Sequence, residues 1–402
     1  AAIKQRLARD EKPGALSYFG FDAWWDGGLR SVPAFHNMHG ILTETAGNTF
    51  ASPVTSKVAA FPPHFANGMP TTLPTVFYAN PWLGGTWRLR DAVDYMLTAD
   101  MAILDLAASR SQEFLYKAYS NAIQQIEAGK RGKPFAYIVP DDQWDSSTAR
   151  EMLIRLQEGA VQISRSQRPF EWQGRNYAAG TIVIPAAQPF RGYLLDLLEP
   201  QHYPELLVGP NGTVKRPYDV AGWTLPYQMG VKTVRIDDEI PLSLERVETL
   251  EPLAPVTDHR DTSFFSSLAQ LLHAGKEIRW SETGALVNRE NAAPAVFARA
   301  PFHLRIPRVG VYESWIPNSD AGWTNWLFDR YGVPHNSLHN ADLQAGHLNS
   351  RFDVIGLPAQ SASGILSGIR EGDSATHQRP EITGGIELSG LYQLSQFVRA
   401  GD

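Results

Sequence analysis

"PFAYIVPDDQWDSSTAREMLIRLQEGAVQISRSQ", residues 134–167, reads as strand, helix and strand in succession. The apolar run "PFAYIVP" is the first strand, "SSTAREMLIRLQEG" a helix with Ser146 or Ser147 as its N-cap, and "AVQISRSQ" the second strand. A further strand, "TIVIPA", and a helix, "RGYLLDLLEP", follow, so residues 129–236 are predicted to form a compact α/β unit. Upstream, Val93, Met96, Leu97, Ile103, Leu104, Leu115, Ala118 and Ile126 recur at helical spacing between Arg90 and Ala128, which predicts one or two long helices packed into a core. The block before them is rich in Trp, Phe, Pro and Gly, a composition of long ordered loops packed by aromatic rings.

Downstream, a Pro/Gly-rich connector runs from 199 to 230, and an acidic, proline-containing stretch within 237–262 reads as a linker. The helix "SFFSSLAQLLHAG" and strand "KEIRWSE" come next. "RVGVYESW", "DAGWTNWLFDRYGV", "RFDVIGLPAQ" and "GGIELSGLYQLSQFVRAG" then alternate strand, helix, strand, helix, the order of a parallel, doubly wound sheet. The predicted fold class is therefore α/β, with units over 1–128, 129–236 and 263–402. The last unit is expected to be incomplete at its C-terminus. The absent initiator methionine and the ending "LYQLSQFVRAGD" give the expectation of a fragment open at both ends.

Composition bounds the chemistry. The 402 residues are 43% hydrophobic and 11% aromatic, enough for two to three domains with substantial cores. The net charge is -6, and the densest basic run is the short "GKRGK" at 129–133, so no nucleic-acid footprint is present. There is no cysteine, which removes disulfides, thiolate ligands and cysteine nucleophiles together and leaves any metal to His, Asp or Glu. No apolar run is long enough to cross a bilayer, and the charged N-terminal segment is not a signal peptide.

The stretch "HNMHGILTETAG", residues 36–47, holds two histidines and a glutamate in apolar surroundings. His36 and His39 could share a helix face and a metal with Glu44, but Asn37 stands where His-Glu-x-x-His requires its general base. Hydrogen-bonded packing is the alternative for both histidines. "HYPE" offers a second pair, His202 and Glu205, on an exposed connector. Glu44 closes an apolar run that reads as a strand, "GILTE", and a carboxylate there calls for either a buried salt bridge or a catalytic role.

"SYFGFDAWWDGGLRSVPAFHNMHGILTETAG" resembles the closing part of the catalytic domain of carboxypeptidase A-like zinc carboxypeptidases, especially the large bacterial secreted members. In that family a strand ending in a pattern such as "GLLLETRG" carries the catalytic glutamate, and "GILTETAG" puts Glu44 in its place. The resemblance continues through "GGTWRLRDAVDYMLTADMAILDLAASRS", "FAYIVPDDQWD" and "IPAAQPFRGYLLDLLEPQ". It implies that residues 1–128 end a mixed-sheet catalytic domain, that the substrate is a peptide or protein, that the setting is secreted or periplasmic, and that zinc is the cofactor. The family's ligands, a His-x-x-Glu pair and a later His, lie upstream of the glutamate by more residues than this chain supplies, so the resemblance places them in a missing N-terminal portion. It also marks "FDAWWDGGLR" as the specificity loop, with Trp24, Trp25, Asp26 and Arg30 as substrate-binding candidates, and Tyr18 as the nearest tyrosine. Arg30 could pair a substrate carboxylate. Alternatively, both tryptophans pack the core and Arg30 pairs with Asp22 or Asp26. "RVGVYESW" and "RFDVIGLPAQ" resemble the class I glutamine amidotransferase-like fold, whose cysteine nucleophile is missing here, which leaves an accessory or binding role. The competing reading of the whole chain is a non-catalytic protein that binds a peptide or glycan.

Overall fold

A computed structural model describes residues 1–18, 24–47, 52–207, 212–251, 258–281, 286–288, 290, 293–369 and 379–401. Two units are distinguished, Ala1–Glu251 and Pro252–Asp402. Both mix helices with small sheets, and one of the sheets is parallel.

In the first unit, five antiparallel strands lie in the order Val234–Ile236, Ala136–Val139, Ile182–Pro185, Ser164–Ser166, Leu244–Arg246. Side chains along Ala136–Val139 alternate between two covered faces. Tyr137 and Val139 join Met152, Leu156, Leu194 and Leu198 from the helices Ser146–Glu158 and Arg191–Leu198. Ala136 and Ile138 join Val183, Ile236 and Tyr177, the last from the hairpin Phe170–Trp172/Arg175–Tyr177. Full burial of each large apolar side chain here is worth about 1.5–3 kcal/mol. The sheet has a member the periodicity did not offer, because Leu244–Arg246 lies inside the expected linker. The helix cap also differs from expectation: Asp145, not a serine, accepts a hydrogen bond from the Thr148 backbone N–H at 2.8 Å.

The two long helices exist, as Leu89–Ser109 and Ser111–Arg131, but their packing is the reverse of the expected one. The first buries Ala92, Thr98, Ala99 and Ala102, while Val93, Met96, Leu97 and Leu104 are exposed. In the second only Gly129 is buried, and Leu115 is 72% exposed. Ile103, Ala118 and Ile126 are half-buried. The physical reason is backbone approach, since the faces that pack inward are those with small side chains. Leu7 of the helix Ala2–Arg9 is buried, and just beyond it Lys12 donates to the Asp94 carbonyl at 2.8 Å and to Thr98 Oγ1 at 2.5 Å. Gly129 meets the 186–187 backbone so closely that an added Cβ would lie 2.4 Å from the Ala186 carbonyl oxygen.

Between these elements, described aromatic residues pack on one another. Phe61, Trp82, Trp87 and Tyr95 form a chain of ring contacts with centroids 5.7, 6.3 and 5.0 Å apart. The only regular strands described in residues 1–128 are the ribbon Val54–Lys57/Gly84–Trp87. The larger mixed sheet implied for this region is not seen among the described residues.

In the second unit, the helix Ser263–His273 packs Phe264 on Ile278 and Leu286 of a three-stranded antiparallel sheet. The strands Val309–Tyr312, His335–Leu338 and Val354–Gly356 then form a parallel sheet with Val309–Tyr312 in the middle. The strands Val309–Tyr312 and Val354–Gly356 and the helices Ser319–Tyr331 and Glu387–Ala400 fall where the sequence reading put them, whereas the strand His335–Leu338 and the short helices Asn340–Ala345, Leu348–Arg351 and Ala362–Leu366 were not part of that reading.

Candidate active site

Residues 24–30 dock on the connector around 219–228. The Trp25 indole N–H donates to the Ala221 carbonyl at 2.8 Å, and the Ala221 N–H donates to Asp219 Oδ1 at 2.8 Å. Gly222 has φ of +85°, and a Cβ on it would lie 3.0 Å from Asp26 Oδ2, so both conformation and space require glycine. Trp24 is exposed and meets Tyr203 edge-on at 5.9 Å, while Tyr203 continues to Trp223 at 6.0 Å. Trp25 packs on Tyr218 at 5.8 Å.

Asp26, proposed from the sequence as a substrate contact, is buried and 5% exposed. Burial pushes its carboxyl above the ordinary range and Asp219 adds to the rise, while the backbone N–H groups of Asp26 and Gly27 oppose it. Asp196, from the helix Arg191–Leu198, is pushed up to about 6 by burial first and by Asp26 second. Asp26 Oδ1 and Asp196 Oδ2 are both buried without a hydrogen-bond partner among the described residues. The Tyr193 hydroxyl is raised by burial and then by these two acids. Sequence reasoning missed Asp196 and Tyr193; the available signal was an aspartate inside the apolar helix "YLLDLL".

Glu44 has the opposite environment. The chain enters its segment over Gly40, whose Cβ would fall 2.1 Å from the Arg30 carbonyl oxygen, and near its end the Trp87 indole donates to the Ala46 carbonyl at 3.1 Å. Between these anchors Ile41, Leu42 and Glu44 are exposed, and the expected strand "GILTE" pairs with no described strand. The carboxylate is thus neither buried nor part of a described ion pair. Arg30 is half-buried; Tyr18 is exposed and stacks on Phe77 at 4.6 Å. Asp22 lies outside the described residues.

The histidines behave as packing groups. His36 lies between Phe190 and Tyr193 with both ring nitrogens 2.9 Å from carbonyl oxygens, those of Val32 and Gly159, so both nitrogens face the backbone and neither is open to a metal. His39 meets Phe114 edge-on at 5.1 Å. His202 and Glu205 are exposed. No group of three or more His, Asp or Glu able to hold a metal occurs among the described residues, so this chain's described side chains do not fit a zinc site. Among the described residues, no helix is long and apolar enough to cross a membrane.

In the second unit, the carboxyl end of Val309–Tyr312 carries a polar cluster. Glu313 Oε1 accepts from Ser337 Oγ at 2.7 Å, His339 Nδ1 is 2.8 Å from the Glu313 carbonyl oxygen, and Trp315 stacks on His339 at 4.2 Å. Compared with protein-family models, with curated proteins and with solved structures, the chain matches none.

Proposed function

We propose that the chain takes part in peptide-bond hydrolysis of the metallocarboxypeptidase type, with Glu44 as the general base and zinc held by residues outside this sequence. The observation that carries the reading is the Glu44 segment itself. It is fastened at both ends and flanked by exposed Ile41 and Leu42, and the exposed carboxylate is open to a reactant. Glu44 would accept a proton from the attacking water and return it to the leaving amine, a role worth about 10² to 10⁴ in rate. Trp24 and Arg30 would form part of the substrate wall, with Trp25 and buried Asp26 holding that wall in place. The amidotransferase-like part serves as an accessory domain, and a secreted or periplasmic setting accompanies the same reading.

The test has two arms. This chain alone, given zinc, releases no C-terminal residues from peptides; ordinary enzymatic turnover would overturn the placement of the metal. In a polypeptide that also bears the zinc ligands, Glu44→Gln lowers kcat by about 10² to 10⁴ with little change in KM. Unchanged activity would remove the role. A second reading, binding of a peptide or glycan without catalysis, is favoured by exposed Trp24 and Tyr218 beside Tyr203 and Trp25. That reading predicts unchanged ligand affinity in Glu44→Gln and loss of affinity in Trp24→Ala.

A further inference from the structure

Residues 24–30 carry a single buried side chain, and it is a carboxyl group. Asp26 is 5% exposed, whereas Trp25 and Arg30 are half-buried and Trp24 and Leu29 are exposed. A segment seated on its surroundings ordinarily buries an apolar anchor, so the strength of this seat depends instead on the state of an acid. The surfaces beneath it are fixed. The helix Arg191–Leu198 buries Leu194, Leu197 and Leu198 in the core, and the connector is tied to the end of that helix by Thr224 Oγ1, which donates to the Glu199 carbonyl at 2.9 Å. The segment is held by the Trp25 bond to Ala221 and by the ring contacts of Trp24 and Trp25. Of the three pieces the segment yields first, because local opening starts where few apolar contacts are buried.

We infer that residues 24–30 form a pH-sensitive latch, seated while Asp26 and Asp196 carry at least one proton between them and released when both are ionised. Asp26 Oδ1 and Asp196 Oδ2 each lack a hydrogen-bond partner among the described residues, so a second charge meets no donor. Gly222 packs against Asp26 so closely that a Cβ would lie 3.0 Å from Oδ2, which closes that side to hydration while the segment is seated. Two further groups act with the pair: Asp219 on the connector raises Asp26, and the Tyr193 hydroxyl on the helix is itself raised by both acids. Arg30 is not among the described groups that shift either acid. Cations on and around the helix are engaged elsewhere. Arg191 donates to the Lys133 carbonyl at 2.7 Å, Lys130 and Arg131 pair with Glu127 at 2.8 and 3.3 Å, and both His36 ring nitrogens face carbonyl oxygens.

Burial sets the sign. Asp196, pushed up to about 6 from an ordinary 3.8, holds its proton more tightly with the segment seated than with the segment open. The seat is therefore at full strength below about pH 4, weakens as pH rises to about 6, and stays weak above it. Because Asp196 is only partly buried, solvent screening reduces the effect, and the ratio of seated to open molecules should fall ~10-fold across that range. Trp24 travels with the segment, so its edge contact with Tyr203 is strengthened in acid and weakened above it. None of this requires Glu44 to be a catalytic base.

The Trp25 indole N–H reports the seat because it is bonded to the Ala221 carbonyl, and the Trp87 indole N–H, bonded to the Ala46 carbonyl, is an internal control. Hydrogen exchange of the two indole signals, followed by NMR at about pH 4.5 and about pH 7.5 and corrected for intrinsic exchange rates, should show Trp25 protection falling ~10-fold with Trp87 unchanged. Asp196→Asn, which keeps the side-chain shape without the charge, should hold Trp25 protection at its acid value at both pH values. Asp26→Asn should do the same, and it carries the test if circular dichroism shows that Asp196→Asn does not fold. Trp25 protection that is equal at both pH values, that falls only in step with Trp87, or that falls as much in either folded variant as in the unaltered chain overturns the latch.

Discussion

Residues 134–250 and residues 89–131 are both rich in large apolar side chains, yet they use them in opposite ways. In the α/β unit Met152, Leu156, Ile184 and Leu194 are fully buried between elements of the same chain. On the long helices Leu97, Leu104, Leu115 and Tyr119 are more than half exposed, and alanines and a glycine make the internal contacts. A helical repeat of apolar residues therefore reports that a stripe exists, without saying which body covers it. An alanine stripe beside it can take the interior, because it lets the backbone come closer.

The sharpest way to break this contrast is to truncate one residue from each region. Met152→Ala removes a fully buried side chain and should cost about 2–5 kcal/mol of unfolding free energy. Leu115→Ala should change it by no more than about 0.5 kcal/mol. Urea unfolding of both variants checks the pair; a comparable loss in Leu115→Ala would show that the exposed face is covered within the chain.

Asp196 gives a smaller effect with a definite pH dependence. Its folded value, about 6, lies above the ordinary 3.8, so the folded state keeps a proton that the unfolded chain has released. The group costs nothing below about pH 4, costs progressively more as pH rises to about 6, and above that imposes its full penalty. Asp196→Asn should therefore raise the melting temperature of the first unit at pH 8 and leave it nearly unchanged at pH 4. Equal shifts at both pH values would mean that proton linkage is not the cause.

Much of the fold was legible where signals are local. The strand "FAYIVP", the helix after Asp145 and the parallel strands near 309 and 354 follow from apolar runs bounded by turn residues. Leu244–Arg246 was hidden in an acidic, proline-containing stretch, because its position is set by pairing with Ser164–Ser166 and not by its own pattern. In the site, Glu44 and the two tryptophans were visible as residue types. That Asp26 would be buried under Gly222 and coupled to Asp196, some 170 residues away in the chain, was not, since no local spacing encodes that contact.

Caps separate local from distant causes most cleanly and carry the smallest expected effect. Asp145 accepts from the Thr148 N–H at 2.8 Å at the start of a buried helix, and Asp91 accepts from the Arg88 N–H at 2.7 Å at the start of an exposed one. Each satisfies a backbone donor near a helix start and places a negative charge in the favourable end of the helix dipole. Because neither effect depends on what covers the helix, Asp145→Ala and Asp91→Ala should each cost about 1 kcal/mol, within a few tenths of one another, in urea unfolding. If Asp91→Ala costs much less, the first long helix gains its order from what packs on its buried alanine face, and its cap adds little to it.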